Sequence, residues 1–280
     1  ATGSRNLHLY SSIRQQICES TANTTELVMG IDFGTSNTKI IIQEQGTGRS
    51  WAIPFSQECT DKYLLSSHIY YSNNEYSLKG QEQDRLGNLK LPLVLGAYDQ
   101  TSLINIVAFL VLVIKHSREW FLVNAADSFS GFSFEWLYHI GMPASNLEDQ
   151  ALRMTYKKLL GCAVDISIED SNILSKDSVK SKLDMINNGV VDRYSAGDSI
   201  GVFSELQSQL EGYVRSDSWS NKKIKFLLID VGGGTVDVAI VNVTDNQSGL
   251  KNYNCLKSVV APMGAKLLHQ IRLKWIHNNI

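Results

Sequence analysis

The sequence has few cysteines and no long apolar run. Its four cysteines are far apart among 280 residues and form no Cys-x-x-Cys pair, so neither a zinc site nor a dense disulfide framework is indicated. This usage fits a reducing compartment, and we expect a cytoplasmic protein. The longest apolar run, residues 103–114, is interrupted by Asn105 and is shorter than the ~20 residues that a membrane helix needs. We therefore expect a buried helix there and no membrane association.

The chain also has little excess charge of either sign. The formal net charge is −2, whereas binding to nucleic acid or to an acidic membrane surface requires a concentrated basic face. Such partners are therefore not indicated. The sequence is 43% hydrophobic, which at this length is enough to bury one large core or two modest ones and suggests about two domains.

One sequence pattern occurs twice, about two hundred residues apart. Residues 28–40 read VMGIDFGTSNTKI, and residues 227–240 read LLIDVGGGTVDVAI. Each copy has an apolar run that ends in an aspartate, then glycine and hydroxyl residues, then a second apolar run, which predicts a β-hairpin with a polar tip. Glycine lets backbone N–H groups approach an anion, hydroxyls add donors, and the aspartate holds a cation or its water shell. Two facing tips would therefore grip a polyphosphate and its Mg²⁺ from both sides.

These residues resemble the two phosphate loops of the superfamily that contains actin, sugar kinases and heat-shock chaperone ATPases. Asp32-Phe-Gly-Thr-Ser is similar to the first loop, and Asp230-Val-Gly-Gly-Gly-Thr-Val-Asp-Val is similar to the second. The triple glycine followed by Thr-x-Asp is close to the signature of the seventy-kilodalton heat-shock chaperones. Over about residues 27–272 the chain thus resembles a heat-shock protein 70-like ATPase. The resemblance implies an actin-like α/β fold with ribonuclease H-like lobes, and it implies ATP or ADP with Mg²⁺ as ligands.

The resemblance also divides the chain into lobes. Residues 1–26 are an N-terminal extension, residues 27–215 form the first lobe, and residues 222–280 begin a second. Within the first lobe, residues from about 51 to 95 match a small outer subdomain. Residues from about 165 to 200 are polar and leave little to bury, so we expect a mobile or peripheral insertion. Because the sequence ends before the family's glycine-rich adenosine loop, we expect a truncated second lobe and weak ATP binding.

The implied site residues lie at the two tips. By resemblance, Asp32 lies beside Mg²⁺ through its water shell, and Asp230 and Asp237 are arranged about the same ion and the attacking water. Attack on a γ-phosphate needs such positioned charge more than covalent help. A plainer alternative is that each aspartate ends a strand and caps a turn. The implied donors to the phosphates are Gly34, Thr35, Ser36, Gly232, Gly233, Gly234 and Thr235.

Lys90 and Glu205 complete the implied catalytic set. Lys90 follows the outer strands at the place of the family's catalytic lysine, which reaches toward the γ-phosphate; a solvated surface lysine is the alternative. Glu205 matches the glutamate of the family's Glu-Pro-x-Ala-Ala segment and would orient water or the metal. The alternative for Glu205 is an ordinary acid at a helix N-terminus. The proline and alanines of that segment are absent here, and with them the close helix packing between the lobes.

The function implied is that of an ATP-binding domain of a heat-shock-chaperone-like protein. It would bind Mg-ATP between the hairpins and hydrolyse it to drive a conformational change, with a protein client or co-chaperone-like partner. We expect ATPase activity with a complete second lobe and weak or no activity in this chain. One alternative is a non-catalytic scaffold that binds a protein partner. Others are a sugar or metabolite kinase, which Gly30-x-Asp32-x-Gly34-Thr-Ser-x-x-Lys39 permits, and an actin-like filament ATPase.

Overall fold

The computed structural model describes most of the chain from Asn23 onward. The described residues are 23–57, 61–125, 129, 132–143, 149–169, 173–189, 199–217, 219, 224–245 and 251–279. The predicted N-terminal extension lies outside them up to residue 22.

The strands and helices alternate along the described chain, as expected for an α/β protein. The strands are β1 (Asn23–Phe33), β2 (Asn37–Glu44), β3 (Ser50–Ala52), β4 (Leu65–Ser66), β5 (Ile69–Ser72), β6 (Glu75–Ser77), β7 (Arg85–Leu86), β8 (Phe132–Met142), β9 (Ile200–Ser204), β10 (Lys225–Val231), β11 (Val236–Asp245) and β12 (Lys251–Ala261). The α-helices are α1 (Leu91–Val94), α2 (Gln100–Asn124), α3 (Gln150–Ser167), α4 (Lys176–Asn187), α5 (Glu205–Val214) and α6 (Ala265–Asn279), and a 3₁₀ helix spans Glu82–Asp84.

The largest sheet is mixed. Its strand order is β3, β2, β1, β8, β9, with β4 also paired to β2. β1 pairs antiparallel with β2 and parallel with β8, and β8 pairs parallel with β9. Parallel neighbours require a crossover connection; α2 lies in the connection from β1 to β8, and α3 and α4 lie in the connection from β8 to β9. The predicted α/β class is confirmed at this level.

Helix α2 is buried around most of its circumference. The Asp99 side chain caps its start by accepting the Ser102 N–H at 2.8 Å. Val107, Phe109 and their neighbours are fully buried, where α2 packs against α3 and α4. The buried helix predicted over residues 103–114 is confirmed. Across the part of the chain that the structure describes, no helix is long and apolar enough to cross a membrane.

The expectation of a peripheral polar insertion from 165 to 200 is wrong for its helical part. Ser175 caps α4, and the helix buries Val179, Leu183 and Ile186 in the main core. These residues are four and three positions apart, so they form one apolar stripe on an otherwise polar helix. Residues 170–172 and 190–198 of this segment lie outside the described part.

A second, smaller sheet has its own core. β10, β11 and β12 are antiparallel neighbours in that order. Its core residues lie on α5 and β11, and they are Leu206, Leu210, Val214, Ala239, Val241 and Val243. Leu227, Ile229 and Val231 of β10 lie on the other face and are 59–63% exposed.

A third sheet, in the order β6, β5, β7, follows β4 in the chain. Its hairpin turn contains Asn73 and Asn74, both with positive φ, as a type I′ turn requires. This sheet leads directly to Lys90, the residue before α1.

Candidate functional site

The two copies of the repeated pattern form the same hairpin. β1 pairs with β2 and β10 pairs with β11. In the first copy the Gly34 N–H donates to the Asn37 carbonyl at 3.1 Å, and in the second the Gly232 N–H donates to the Thr235 carbonyl at 2.8 Å. Both glycines lie two residues after the aspartate, and both bonds span three residues. The two predicted hairpins are therefore confirmed, together with a shared turn geometry.

The tips of these hairpins touch each other. A methyl group added to Gly233 would collide with Ser36 Oγ, and one added to Gly234 would lie 2.6 Å from Thr35 Cγ2. The tips are adjacent, as expected, but at these residues they touch instead of facing each other across a cleft. Because Gly233 and Gly234 lie directly against Ser36 and Thr35, a phosphate placed between these residues would require the tips to move apart.

The start of α6 fixes the second tip from its other side. The Gly264 N–H donates to the Gly234 carbonyl at 3.2 Å, and the Ala265 N–H donates to the Gly232 carbonyl at 2.9 Å. A methyl group on Gly264 would lie 2.5 Å from backbone atoms of Gly233 and Gly234. Only glycine permits this approach of two backbones.

Lys90 and Glu205 form a buried ion pair, although they are 115 residues apart. The Lys90 ammonium donates to Glu205 Oε1, and the two side chains are 4% and 18% exposed. Burial alone would lower the pKa of Lys90, but the Glu205 carboxylate, with help from Asp32, holds that pKa above its ordinary value. Burial raises the pKa of Glu205 against the opposing effect of Lys90. The alternative of a solvated surface lysine is therefore wrong.

Glu205 is also an acid at a helix N-terminus, as its alternative reading proposed. It is the first residue of α5, whose cap is Ser204; the Gln207 N–H donates to Ser204 Oγ at 3.2 Å. Glu205 is thus both the acid at the start of α5 and the partner of Lys90, because α5 follows directly on β9.

Asp237 is buried next to this pair. Its Oδ2 accepts a hydrogen bond from the Thr235 hydroxyl at 3.1 Å, and its Oδ1 has no hydrogen-bond partner among the described residues. Burial raises the pKa of Asp237, while the Thr235 hydrogen bond and the charge of Lys90 oppose that rise. Asp237 therefore offers one unpartnered carboxylate oxygen inside the molecule.

Asp32 and Asp230 are the second-to-last residues of β1 and β10, and both have partners outside the Lys90–Glu205 pair. Asp32 is half exposed and lies 3.6 Å from Lys39 Nζ, and its charge still acts on Lys90 and Glu205. Asp230 Oδ2 accepts from Gln209 Nε2 at 2.8 Å. This hydrogen bond joins α5 to β10.

Tyr156, on α3, belongs to the same cluster and was not predicted from the sequence. It is 1% exposed, and its hydroxyl has no hydrogen-bond partner in the described part of the chain. Burial raises the pKa of Tyr156 to about 12; Lys90 opposes that rise, and Glu205 and Asp237 add to it. In the sequence it resembles any aromatic residue on the apolar face of a helix, with Leu152 and Leu160 four positions away on either side.

The Asp32 and Asp237 carboxylates suit a metal ion that takes most of its ligands from water and a bound phosphate. Within the described residues, no three His, Cys, Asp or Glu side chains could hold a metal ion together. Mg²⁺ usually keeps several waters and binds one or two carboxylates together with substrate phosphates. The half-exposed Asp32 and the unpartnered Oδ1 of Asp237 fit that arrangement.

A polar pocket of about 380 Å³ opens beside the first tip. Its walls come from the first tip, from β4 and the residues after it, and from the 3₁₀ helix, β7 and the turn that follows β7. The lining residues are Thr35, Ser36, Ser66, Ser67, His68, Glu82, Arg85, Gly87 and Asn88. Hydroxyl, amide, imidazole and charged groups offer donors and acceptors together, which suits a small polar ligand.

The fold and the site define a mixed α/β protein in which two matched hairpin tips meet next to a buried lysine–carboxylate cluster. No model of a known protein family matches the chain, and no curated protein matches it.

Gly141, on β8, gives Glu205 the room to reach Lys90. A methyl group there would lie 2.8 Å from Glu205 Cγ, so Gly141→Ala is expected to displace Glu205 and lower the unfolding free energy by about 1–3 kcal/mol through overpacking. Urea unfolding would measure the loss. Gly30→Ala is the matched strand control, because the nearest atom to its methyl would be Ile41 O at an ordinary 3.8 Å. Equal effects of the two substitutions would contradict the prediction.

Proposed function

We propose that the chain is the nucleotide-binding part of a heat-shock protein 70-like ATPase with an actin-like fold. It binds Mg-ATP or Mg-ADP between the two hairpin tips, and hydrolysis changes the separation of the tips. The observation that carries this proposal is the meeting of two hairpin tips with the same turn hydrogen bond next to Lys90, Glu205 and Asp237.

Each group of residues has a separate role in this proposal. The backbone N–H groups and hydroxyls of the tips donate to phosphate oxygens. Asp32, Asp230 and Asp237 orient the water shell of a Mg²⁺ ion, which would supply charge neutralisation at the phosphates. Lys90, kept cationic by Glu205, stabilises negative charge that develops on the transferred group.

Calorimetric titration of Mg-ATP and Mg-ADP tests the proposal. We expect weak binding that depends on Mg²⁺, because the tips must part before a phosphate enters. Asp237→Asn is expected to weaken the binding about tenfold, or about 1.4 kcal/mol, since it removes a charge from the metal side.

The control is Asp245→Asn, at the far end of the same strand, where Asp245 is exposed and pairs with Lys251. It should leave affinity unchanged. Binding without Mg²⁺, or the same loss in both variants, would count against the proposal.

The polar pocket favours one second candidate, a sugar or metabolite kinase. Thr35 and Ser36 line the pocket and also contact the second hairpin tip. A hydroxyl of a polyol bound in the pocket would therefore lie near the position proposed for the phosphates. Consumption of ATP that rises with added glycerol, xylitol or glucose would favour this candidate. Hydrolysis that is indifferent to all three would favour the ATPase.

A further inference from the structure

The two hairpins differ in one respect: the same face is covered in the first and uncovered in the second. Asp230 lies 198 residues after Asp32, and this offset also matches the turn hydrogen bonds of the two hairpins. Five apolar side chains of the first hairpin are at most 3% exposed, and they are Met29, Ile31, Phe33, Ile40 and Ile42. None of their counterparts is buried, and these are Leu227, Ile229, Val231, Val238 and Ile240. Side chains that belong to the core in the first hairpin are thus at the surface in the second.

A helix covers this face in the first hairpin. The ring of Phe33 lies 5.6 Å from that of Phe109 on α2. Trp51 of β3, which pairs with Ile42 and therefore shares its face, lies 5.2 Å from Phe121 of the same helix. Because α2 is the first long helix after β3 in the chain, the equivalent face of the second sheet is shaped for an apolar helix.

The uncovered face is continuous across the second sheet. Three rows of directly opposite residues share it, one from each of β10, β11 and β12. The rows are Leu227, Ile240 and Lys257, then Ile229, Val238 and Val259, then Val231, Val236 and Ala261. We call these residues the bare face. All of them but Lys257 are apolar, and a contiguous apolar patch of several hundred Å² usually marks an interaction surface.

Helix α6 is an exposed helix with an apolar stripe. It is the first helix after β12, as α2 is the first long helix after β3, but none of its described side chains is buried. Leu268, Ile271 and Trp275 are three and four positions apart, so they lie on one side of α6. The hydrogen bonds of Gly264 and Ala265 hold the start of α6 at the second tip, and from there the helix leaves the bare face of its own sheet uncovered.

We propose that two copies of the chain form a two-fold dimer in which α6 of each copy lies on the bare face of the other. Exchange of one element between identical copies is a low-cost route to a dimer. The exchange gives each bare face a helix and each α6 an apolar surface, as α2 and the first hairpin have within one copy. The dimer goes beyond the proposed function and does not rest on it.

The exposed apolar area is sufficient for such a dimer. Each copy contributes eight side chains that are 42–65% exposed, five from the bare face and three from the α6 stripe. At on the order of 80 Å² for each side chain, the pair would bury about 1,300 Å², within the range of about 1,200–2,000 Å² that stable interfaces bury.

The charges on the two surfaces have the same sign. Residues 246–280 contain five lysines and arginines and no acidic residue, and Lys257, Arg272 and Lys274 are exposed on the bare face and on α6. Apolar burial therefore drives the association, and salt screens the repulsion that opposes it. We expect the dimer to tighten several-fold between about 0.05 and 0.5 M NaCl. Dissociation at high salt would indicate an ion-paired interface and overturn the proposal.

Sedimentation equilibrium of the full chain tests the dimer. At about 10 μM we expect twice the chain mass of 31.2 kDa. Ile229→Lys on the bare face and Ile271→Lys on α6 should each weaken the dimer by about 100-fold or more, because each buries an ammonium group in the interface. Both side chains are exposed in a single copy, so circular dichroism should show unchanged folding. Met154→Lys is the matched control, since Met154 is as exposed on α3 and should leave the dimer intact.

A mixture of the two variants tests the exchange itself. A homodimer of either variant has a lysine in both helix-on-face contacts, whereas a mixed dimer has one unaltered contact, made by α6 of the Ile229→Lys copy and the bare face of the Ile271→Lys copy. We therefore expect mixing to restore dimers that neither variant forms alone.

Three results would overturn the proposal. A parent chain that is monomeric up to about 100 μM would leave the bare face to the N-terminal extension or to another protein. Dissociation by Ile229→Lys but not by Ile271→Lys would show that the two bare faces pack against each other without α6. A mixture that stays monomeric would exclude the reciprocal exchange.

Discussion

Lys90→Met is expected to lower the free energy of unfolding by about 3–5 kcal/mol. Lys90 is 3% exposed and donates to Glu205 inside the molecule. Methionine fills a similar volume but leaves the Glu205 carboxylate buried without its cation. The cost of that unpaired charge dominates, because Glu205 is still desolvated on folding but no longer has an opposite charge to offset this. Urea unfolding followed by circular dichroism would measure the change.

The double variant Lys90→Met with Glu205→Leu should recover most of this loss, since a buried ion pair replaced by apolar side chains is often neutral. Lys79→Met is the surface control, because Lys79 is exposed, and we expect a change within about 0.5 kcal/mol. A Lys90→Met protein as stable as that control would show that the pair contributes nothing to the fold.

Gly264→Ala is expected to destabilise the chain by about 3 kcal/mol, at the upper end of the cost of overpacking. Its methyl group would lie 2.5 Å from three backbone atoms of the second tip, and no flexible side chain is available there to move aside. Relief of the clash would break the two hydrogen bonds that join α6 to the tip. The unfolding midpoint and the proteolytic sensitivity of the segment around Gly264 would report both effects.

The control for this substitution is Gly212→Ala. Gly212 lies inside α5 with no atom within 4 Å of its added methyl, so alanine should stabilise that helix by about 0.5–1 kcal/mol. The two Gly→Ala substitutions are therefore expected to change the free energy of unfolding in opposite directions. A mild effect of Gly264→Ala would mean that the start of α6 does not fix the tip.

The hairpins could be predicted from the sequence because their signals are local. Two apolar runs separated by a glycine turn determine each one, and residues 28–40 and 227–240 contain this pattern. The apolar stripe of α4 was also readable, since Val179, Leu183 and Ile186 follow a helical period. The many polar residues around this stripe give the segment the overall composition of a surface insertion.

The pairing of Lys90 with Glu205 could not be read in the same way. Their separation of 115 residues means that only the packing of β8, β9 and α5 brings them together. Each residue alone has an ordinary explanation as a surface lysine or a helix N-terminal acid. Tyr156 is even harder to predict from the sequence, because a buried tyrosine on a helix face usually belongs to the core. Only its hydroxyl, which has no hydrogen-bond partner among the described residues, distinguishes it.

Under the proposed function, the direct contact between the two tips makes the entry of an anion between them a linked equilibrium. The tips must separate before both can donate to one ligand, so the contacts of Gly233 and Gly234 with Ser36 and Thr35 are exchanged for contacts with that ligand. The measured affinity is then the intrinsic affinity of the parted tips reduced by the fraction of molecules in which they are parted. By reciprocity, occupancy shifts the two sheets toward the open arrangement by the same free energy. Any substitution that loosens the tips should therefore tighten binding while it lowers the stability of the empty chain.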